Sequence, residues 1–136
     1  MFATACQSSD PEYTEDHTHF ERIVGAVKAL QSAYETRDLK AFQALQSTSA
    51  DLDQLTRDME KDFSTYATIS LTLTIERIST QENQATVNVR WEGMWQRESD
   101  ATPIRDRGHG VLVWSGRAVV LLERVEGNLP FGRANR

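Results

Sequence analysis

Thr68-Ile69-Ser70-Leu71-Thr72-Leu73-Thr74-Ile75 and Ala85-Thr86-Val87-Asn88-Val89-Arg90-Trp91-Glu92 decide how this chain folds. In the first stretch, Ile69, Leu71, Leu73 and Ile75 alternate with hydroxyl side chains. In the second, Ala85, Val87, Val89 and Trp91 alternate with Thr86, Asn88, Arg90 and Glu92. Period-two alternation marks a strand packed on one face and wet on the other. Further along, Val111-Leu112-Val113-Trp114 and Ala118-Val119-Val120-Leu121-Leu122 are continuous apolar runs. They predict strands buried on both faces, or with one face awaiting a partner. Gln81-Glu82-Asn83-Gln84 separates the first two strands, and a longer connection around 98–103 separates the second and third. Ser115-Gly116 predicts a tight hairpin turn before the fourth. Gly93, Gly108 and Gly110 fall inside strand patterns and predict bulges or bends that curve the sheet.

Upstream of Tyr66 the period changes to that of helices. Asp10-Pro11 predicts one helix start, and Thr18-x-x-Glu21, a capping box, predicts a second. Phe20, Ile23, Val24, Val27, Leu30 and Tyr34 then recur at spacings of three and four, so one face of this helix is core as far as Arg37. Gly25 and Ala26 predict a close approach by a neighbour. Asp38 caps a short second helix carrying Leu39, Phe42 and Leu45. Ser49 or Asp51 caps a third, with Leu52, Leu55, Met59 and Phe63 inward and Asp58, Glu60, Lys61 and Asp62 toward water. Three helices followed by a four-stranded antiparallel sheet is an α+β layer arrangement. A curved sheet around a long first helix makes a cone with an open end, a cystatin-like arrangement. Residues 1–10 are expected to be a disordered tether and 11–136 a single domain. The tail is expected to lie across the body through Leu129 and Phe131.

The chain has 136 residues, a net charge of -5 and 39% hydrophobic residues, enough for one folded domain with its own core. An acidic chain without a basic run has no electrostatic footprint for nucleic acid or for anionic lipid. The single cysteine, Cys6, excludes an intrachain disulfide. Its neighbours, Ala3-Thr4-Ala5-Cys6 followed by a polar stretch, resemble the processing site of a bacterial lipoprotein. Only five residues precede Cys6, so the charged and apolar leader of such a signal is expected upstream of Met1. Lipid attachment at Cys6 implies a periplasmic or membrane-anchored protein; the alternative is a cytoplasmic one with a free thiol.

The segment Ala33-Tyr34-Glu35-Thr36-Arg37-Asp38-Leu39-Lys40-Ala41-Phe42 resembles the helix–Asp–helix opening of the nuclear-transport-factor-2-like superfamily, which includes ketosteroid isomerase and polyketide-cyclase-like proteins. The ending, Gly110 to Leu122 followed by Asn128-Leu129-Pro130-Phe131-Gly132, is similar to small bacterial envelope members. The resemblance covers most of residues 18–132 and rests on pattern. It implies a cone-shaped α+β domain with a pocket at the open end. One departure is plain. Enzyme-like members place a β-hairpin between the second and third helices, and residues 46–51 are too few to supply one. A shallower pocket and a last strand left at an edge are the expected consequences.

Among residues able to carry chemistry, His17 and His19 lie two apart, which on a helix is not a shared face, so both read as solvent-exposed rather than as a metal site. No cofactor or metal is expected. His109 sits between two glycines on the third strand, where alternation puts Arg105, Arg107, His109, Val111 and Val113 on one face. One reading is a cross-strand polar ladder with Arg90 and Glu92. The other places His109 in the cone mouth as a general base oriented by Asp106 or Glu123. Trp91, Trp95, Arg107, His109 and Tyr34 form the candidate ligand-binding set, with the tryptophans as core or as the wall of an apolar pocket. Two functions remain: a non-catalytic ligand-binding or protein-interaction module of the envelope, which is favoured, and a small-molecule isomerase- or cyclase-like enzyme. The apolar runs of the last two strands place half their side chains away from the helices, and a homodimer through the sheet would cover them.

Overall fold

The computed structural model describes residues 11–48 and 50–136. Its elements are α1 (Pro11–Glu35), α2 (Leu39–Ala44), α3 (Ala50–Thr65), β1 (Thr68–Gln81), β2 (Gln84–Gln96), β3 (Ile104–Ser115) and β4 (Leu121–Gly127), with a 3-10 turn over Arg133–Asn135. The first helix begins at Pro11, the earlier of its two expected starts. Asp38 caps α2 as expected, its carboxylate accepting from the Ala41 N–H at 3.1 Å. The tether and Cys6 lie outside the described residues, as does Ser49.

The strands form one antiparallel sheet in the order β1-β2-β3-β4. The three helices pack on one of its faces. Ile69 and Leu71 of β1, Ala85, Val87, Val89, Trp91 and Trp95 of β2, and Leu112 and Trp114 of β3 meet Ile23, Val27, Leu30 and Tyr34 of α1 in a common core. The alternating stretches therefore packed as their period dictates. Each large side chain removed from water there contributes roughly 1.5–3 kcal/mol. Gln31 and Glu35 of α1 also reach the free edge of β1. The Leu71 N–H donates to Glu35 at 2.9 Å and the Leu73 N–H to Gln31 at 2.8 Å.

Several expectations need correction. The fourth strand starts at Leu121, not at Ala118, and Ser115 pairs with Leu121, so the hairpin is a five-residue loop over 116–120 rather than a tight turn at Ser115-Gly116. Val119 consequently lies in a loop and is 70% exposed. The strand glycines are not bulges. β2 and β3 pair without a register break from Gln84–Ser115 to Trp95–Ile104, and the irregularities fall at Glu76 of β1 and between Val113 and Trp114 opposite β4. Gly25 has open space around it, so no neighbour approaches there. Phe20, expected in the core, is 48% exposed because its turn of α1 borders a cleft of about 720 Å³ beside Ile75 and Ile78. His19 is buried, its ring N–H donating to the Gly116 carbonyl at 3.1 Å. Asp62, assigned to the wet face of α3, is fully buried.

The last strand is an edge, and its first residues are protected by the α2–α3 connection. The Leu122 N–H donates to the Leu45 carbonyl at 2.6 Å and the Ser47 N–H returns to the Leu122 carbonyl at 2.9 Å.

Candidate functional site

Two surfaces of the sheet carry polar chemistry, and the register assigns each residue to one of them. On the outer face, away from the helices, His109 stands opposite Arg90 and Arg107 opposite Glu92. Glu76, the extra residue of the β1 bulge, reaches both Arg90 (3.4 Å) and His109 (3.7 Å). All three side chains are well exposed, so these pairs are worth little to stability. Beside this ladder lies an open cleft of about 530 Å³ lined by Ser70, Thr72, Glu92, Met94, Arg105 and Arg107 among others.

The inner face is different. Asp106 and Trp95 lie on it, and the cone they border is filled by the chain's own tail. The Tyr34 hydroxyl donates to Asp62 Oδ2 at 2.6 Å and accepts from Trp95 Nε1–H at 2.8 Å. The same Asp62 oxygen accepts the N–H groups of Gly132 (2.8 Å) and Arg133 (3.2 Å), and Oδ1 accepts that of Ala134 (2.7 Å). Phe131 packs edge-on against Tyr34, with ring centroids 5.0 Å apart. Trp91 Nε1–H donates to the Asn128 carbonyl at 2.8 Å. The Arg133 guanidinium lies over the Trp95 ring at 5.3 Å and binds Asp106 Oδ2 at 2.6 Å.

Two titrations are displaced by these surroundings. Burial first, and then the negative charge of Asp62, push the Tyr34 phenol far above its usual value. The Arg107 N–H on its own carboxylate, followed by Arg133, holds Asp106 below the ordinary carboxylate range.

The expected catalytic group is therefore not assembled. His109 projects outward and Asp106 inward, because they sit three positions apart on one strand. Glu123 accepts a hydrogen bond from Ser115 Oγ at 2.9 Å. Ser115 is six residues from His109 along β3, roughly 20 Å at 3.3 Å per residue. The expected ligand-binding set divides likewise, with Tyr34, Trp91 and Trp95 inside and Arg107 and His109 outside. Sequence reasoning missed Asp62 and Arg133. For Asp62 a signal existed: it follows Leu55 by seven and Met59 by three, which is the buried stripe of α3. Among the described residues, no group of three or more His, Cys, Asp or Glu side chains could hold a metal ion.

No protein-family model and no curated protein matches the sequence. Solved structures do match the fold. A nuclear transport factor 2 (NTF2-like) superfamily protein from Salmonella enterica serovar Typhimurium superposes with a TM-score of 0.69 at 14% identity, over 84% of this chain and 93% of that one. The fold is NTF2-like. A candidate dehydratase of the NTF2-like family from Streptomyces avermitilis gives 0.71 at 15% identity, over 80% and 94% of the two chains. A conserved protein from Planctomyces limnophilus gives 0.70 at 15%, over 82% and 95%. At such identities the likeness fixes the architecture and leaves the chemistry to this chain's own residues. In this chain, those residues close the cone with its own C-terminal tail.

Proposed function

We propose that this chain is a non-catalytic interaction module that works through the outer face of its sheet, with a second copy as its first partner. The observation that supports this reading is the division of polar residues between the two faces. Inside, Tyr34, Trp95 and Asp62 are bonded to one another and Trp91 and Asp62 to the tail, whereas Arg105, Arg107 and Glu92 line an open cleft on the outer face. The outer face also alternates in sign, with Glu76 and Glu92 among Arg90, Arg105 and Arg107. Such a face can meet its own copy across a twofold axis with opposite charges in register. The apolar contribution is smaller than the sequence implied, because Val113 is already covered and Val119 lies in the loop.

Sedimentation equilibrium at micromolar concentration tests the dimer. A species of twice 15.4 kDa that dissociates in Arg107→Glu is the expected result, and a single 15.4 kDa species overturns it. Placement in the bacterial envelope, with lipid on Cys6, belongs to the same proposal and rests on Ala3-Thr4-Ala5-Cys6. The mass of the protein purified from its native membranes decides it. A diacylglycerol-sized increment lost in Cys6→Ser is expected, and a soluble, unmodified native protein overturns it.

A further inference from the structure

One stripe of α1 runs along the free edge of β1, and its chemistry changes part-way. Toward the helix C-terminus, Glu35 and Gln31 accept the N–H groups of Leu71 and Leu73. Toward the helix start the stripe continues with Val24 and Phe20, which offer nothing to a main-chain donor or acceptor. Beside them β1 runs on from Ile75 to Gln81, and β2 is its one neighbour in the sheet. In an antiparallel ladder every second residue turns its N–H and C=O away from the neighbouring strand. The two-residue turn of Glu82 and Asn83 closes on Gln81 and Gln84 as a hydrogen-bonded pair, so Ile78 and Thr80 are the residues that face out. Among the described residues nothing bonds to these outward groups. The bulge at Glu76 does not shield them, since its carboxylate is engaged by Arg90 and His109 on the outer face.

The side chains along this edge are apolar. Phe20 is half-exposed, and with Val24, Ile75 and Ile78 it lines the cleft between helix and strand. A chain laid along the edge would send alternate side chains into that cleft, because the period of a strand is two. From the unpaired edge and the apolar cleft together, we infer that β1 receives an extended segment of a partner protein as a fifth strand. Chemistry fixes the occupant. Another polypeptide backbone repeats donors and acceptors at the spacing of Ile78 and Thr80, and apolar side chains at alternate positions suit Phe20 and Val24. Ile75 to Gln81 spans about 20 Å, the length of about six residues. The inference goes beyond the outer-face reading and does not depend on it, since the site is the edge of the sheet rather than its face.

Hydrogen exchange on the unmodified protein is the first test. The Ile78 and Thr80 amides exchange at least about 10-fold faster than that of Ser79, which points into the ladder with β2. Equal protection overturns the inference, because the edge is then already covered by a second copy or by the chain itself. Binding is the second test, read by anisotropy with a labelled peptide of three valine–threonine pairs and a lysine at each end. Saturable binding below about 1 mM is expected, weakened at least about 10-fold in Phe20→Asp. Circular dichroism checks that the variant is folded. Peptides methylated on main-chain nitrogens separate strand addition from simple apolar adhesion, and they act on the wild type. With valines in the cleft of an antiparallel ladder, the valine N–H groups bond to β1 and the threonine ones face water. Methylation at valine therefore abolishes binding, and methylation at threonine leaves it. The absence of saturable binding, or equal affinities for the two methylated peptides, overturns the inference.

Discussion

The Tyr34 hydroxyl donates to the Asp62 carboxylate at 2.6 Å, and neither residue is exposed to water. One comes from the buried stripe of α1 and the other from that of α3, so the bond ties the two long helices together. It also supplies one of four donors to a carboxylate that would otherwise be a costly buried charge. The other three come from the tail, which makes the carboxylate the point where helices and C-terminus are joined.

Asp62→Ala leaves three main-chain N–H groups and the Tyr34 hydroxyl without their acceptor. The expected loss is about 3 kcal/mol or more, since breaking a buried charged network strands its partners. Urea unfolding measures it. The control Glu60→Ala, on the exposed face of the same helix, changes stability by less than about 0.5 kcal/mol. Equal losses for the two would show that the carboxylate does not anchor the tail.

Tyr34 links stability to alkaline pH. Its folded-state phenol is held above the unfolded value of about 10, first by burial and then by Asp62. The neutral form is the one the fold favours, so this stabilisation is complete below about pH 10 and declines as pH rises beyond it. In Tyr34→Phe the alkaline decline is shallower by one proton's share, about 1.4 kcal/mol per pH unit. Urea midpoints collected from pH 8 to pH 11 provide the comparison, and parallel curves for the two proteins would refute the linkage.

Two glycine-to-alanine changes have opposite signs. At Gly25 an added Cβ meets nothing within 4 Å, and the helix gains about 0.5–1 kcal/mol from the better propensity of alanine. At Gly110 the Cβ meets Leu129 at 2.7 Å and the Asn128 carbonyl at 3.0 Å, so the tail must shift, at about 1–3 kcal/mol. Thermal unfolding of both variants reads the signs directly. A neutral Gly110→Ala would mean that the tail does not lie on the strand.

His109→Ala leaves the fold within about 0.5 kcal/mol of wild type, because the side chain is 69% exposed and its contact with Glu76 is a surface one. A loss above about 1 kcal/mol in this variant, measured by urea unfolding, would contradict the placement of His109 on the exposed face.

Much of the architecture was legible in the chain itself. The alternation of Ile69 to Ile75 and of Ala85 to Trp91, the helical stripe from Ile23 to Tyr34 and the Asp38 cap are local signals, each set by the geometry of one element and its immediate neighbours. On β3 alternation grouped Arg105, Arg107 and His109, but their face stayed open, because bulges were expected at Gly108 and Gly110 and only the unbroken pairing with β2 put the group outside. The fourth strand was misplaced by the run Ala118–Leu122, in which loop and strand residues are equally apolar and period carries no information.

What only the tertiary structure decided is which groups meet. Nothing local to Asp62 states that residues seventy positions later will close on its carboxylate. Nothing local to Gly108 or Gly110 distinguishes a bulge from a surface made flat for a returning chain. The sequence by itself determined the helices, the first three strands and the dry faces of β1 and β2, because those follow from periodicity, whereas the start of β4 and the facing of Phe20, His19 and Asp62 depended on tertiary neighbours. The occupant of the cone was decided by long-range packing, because a buried carboxylate needs donors from elsewhere in the chain, and the tail supplies them.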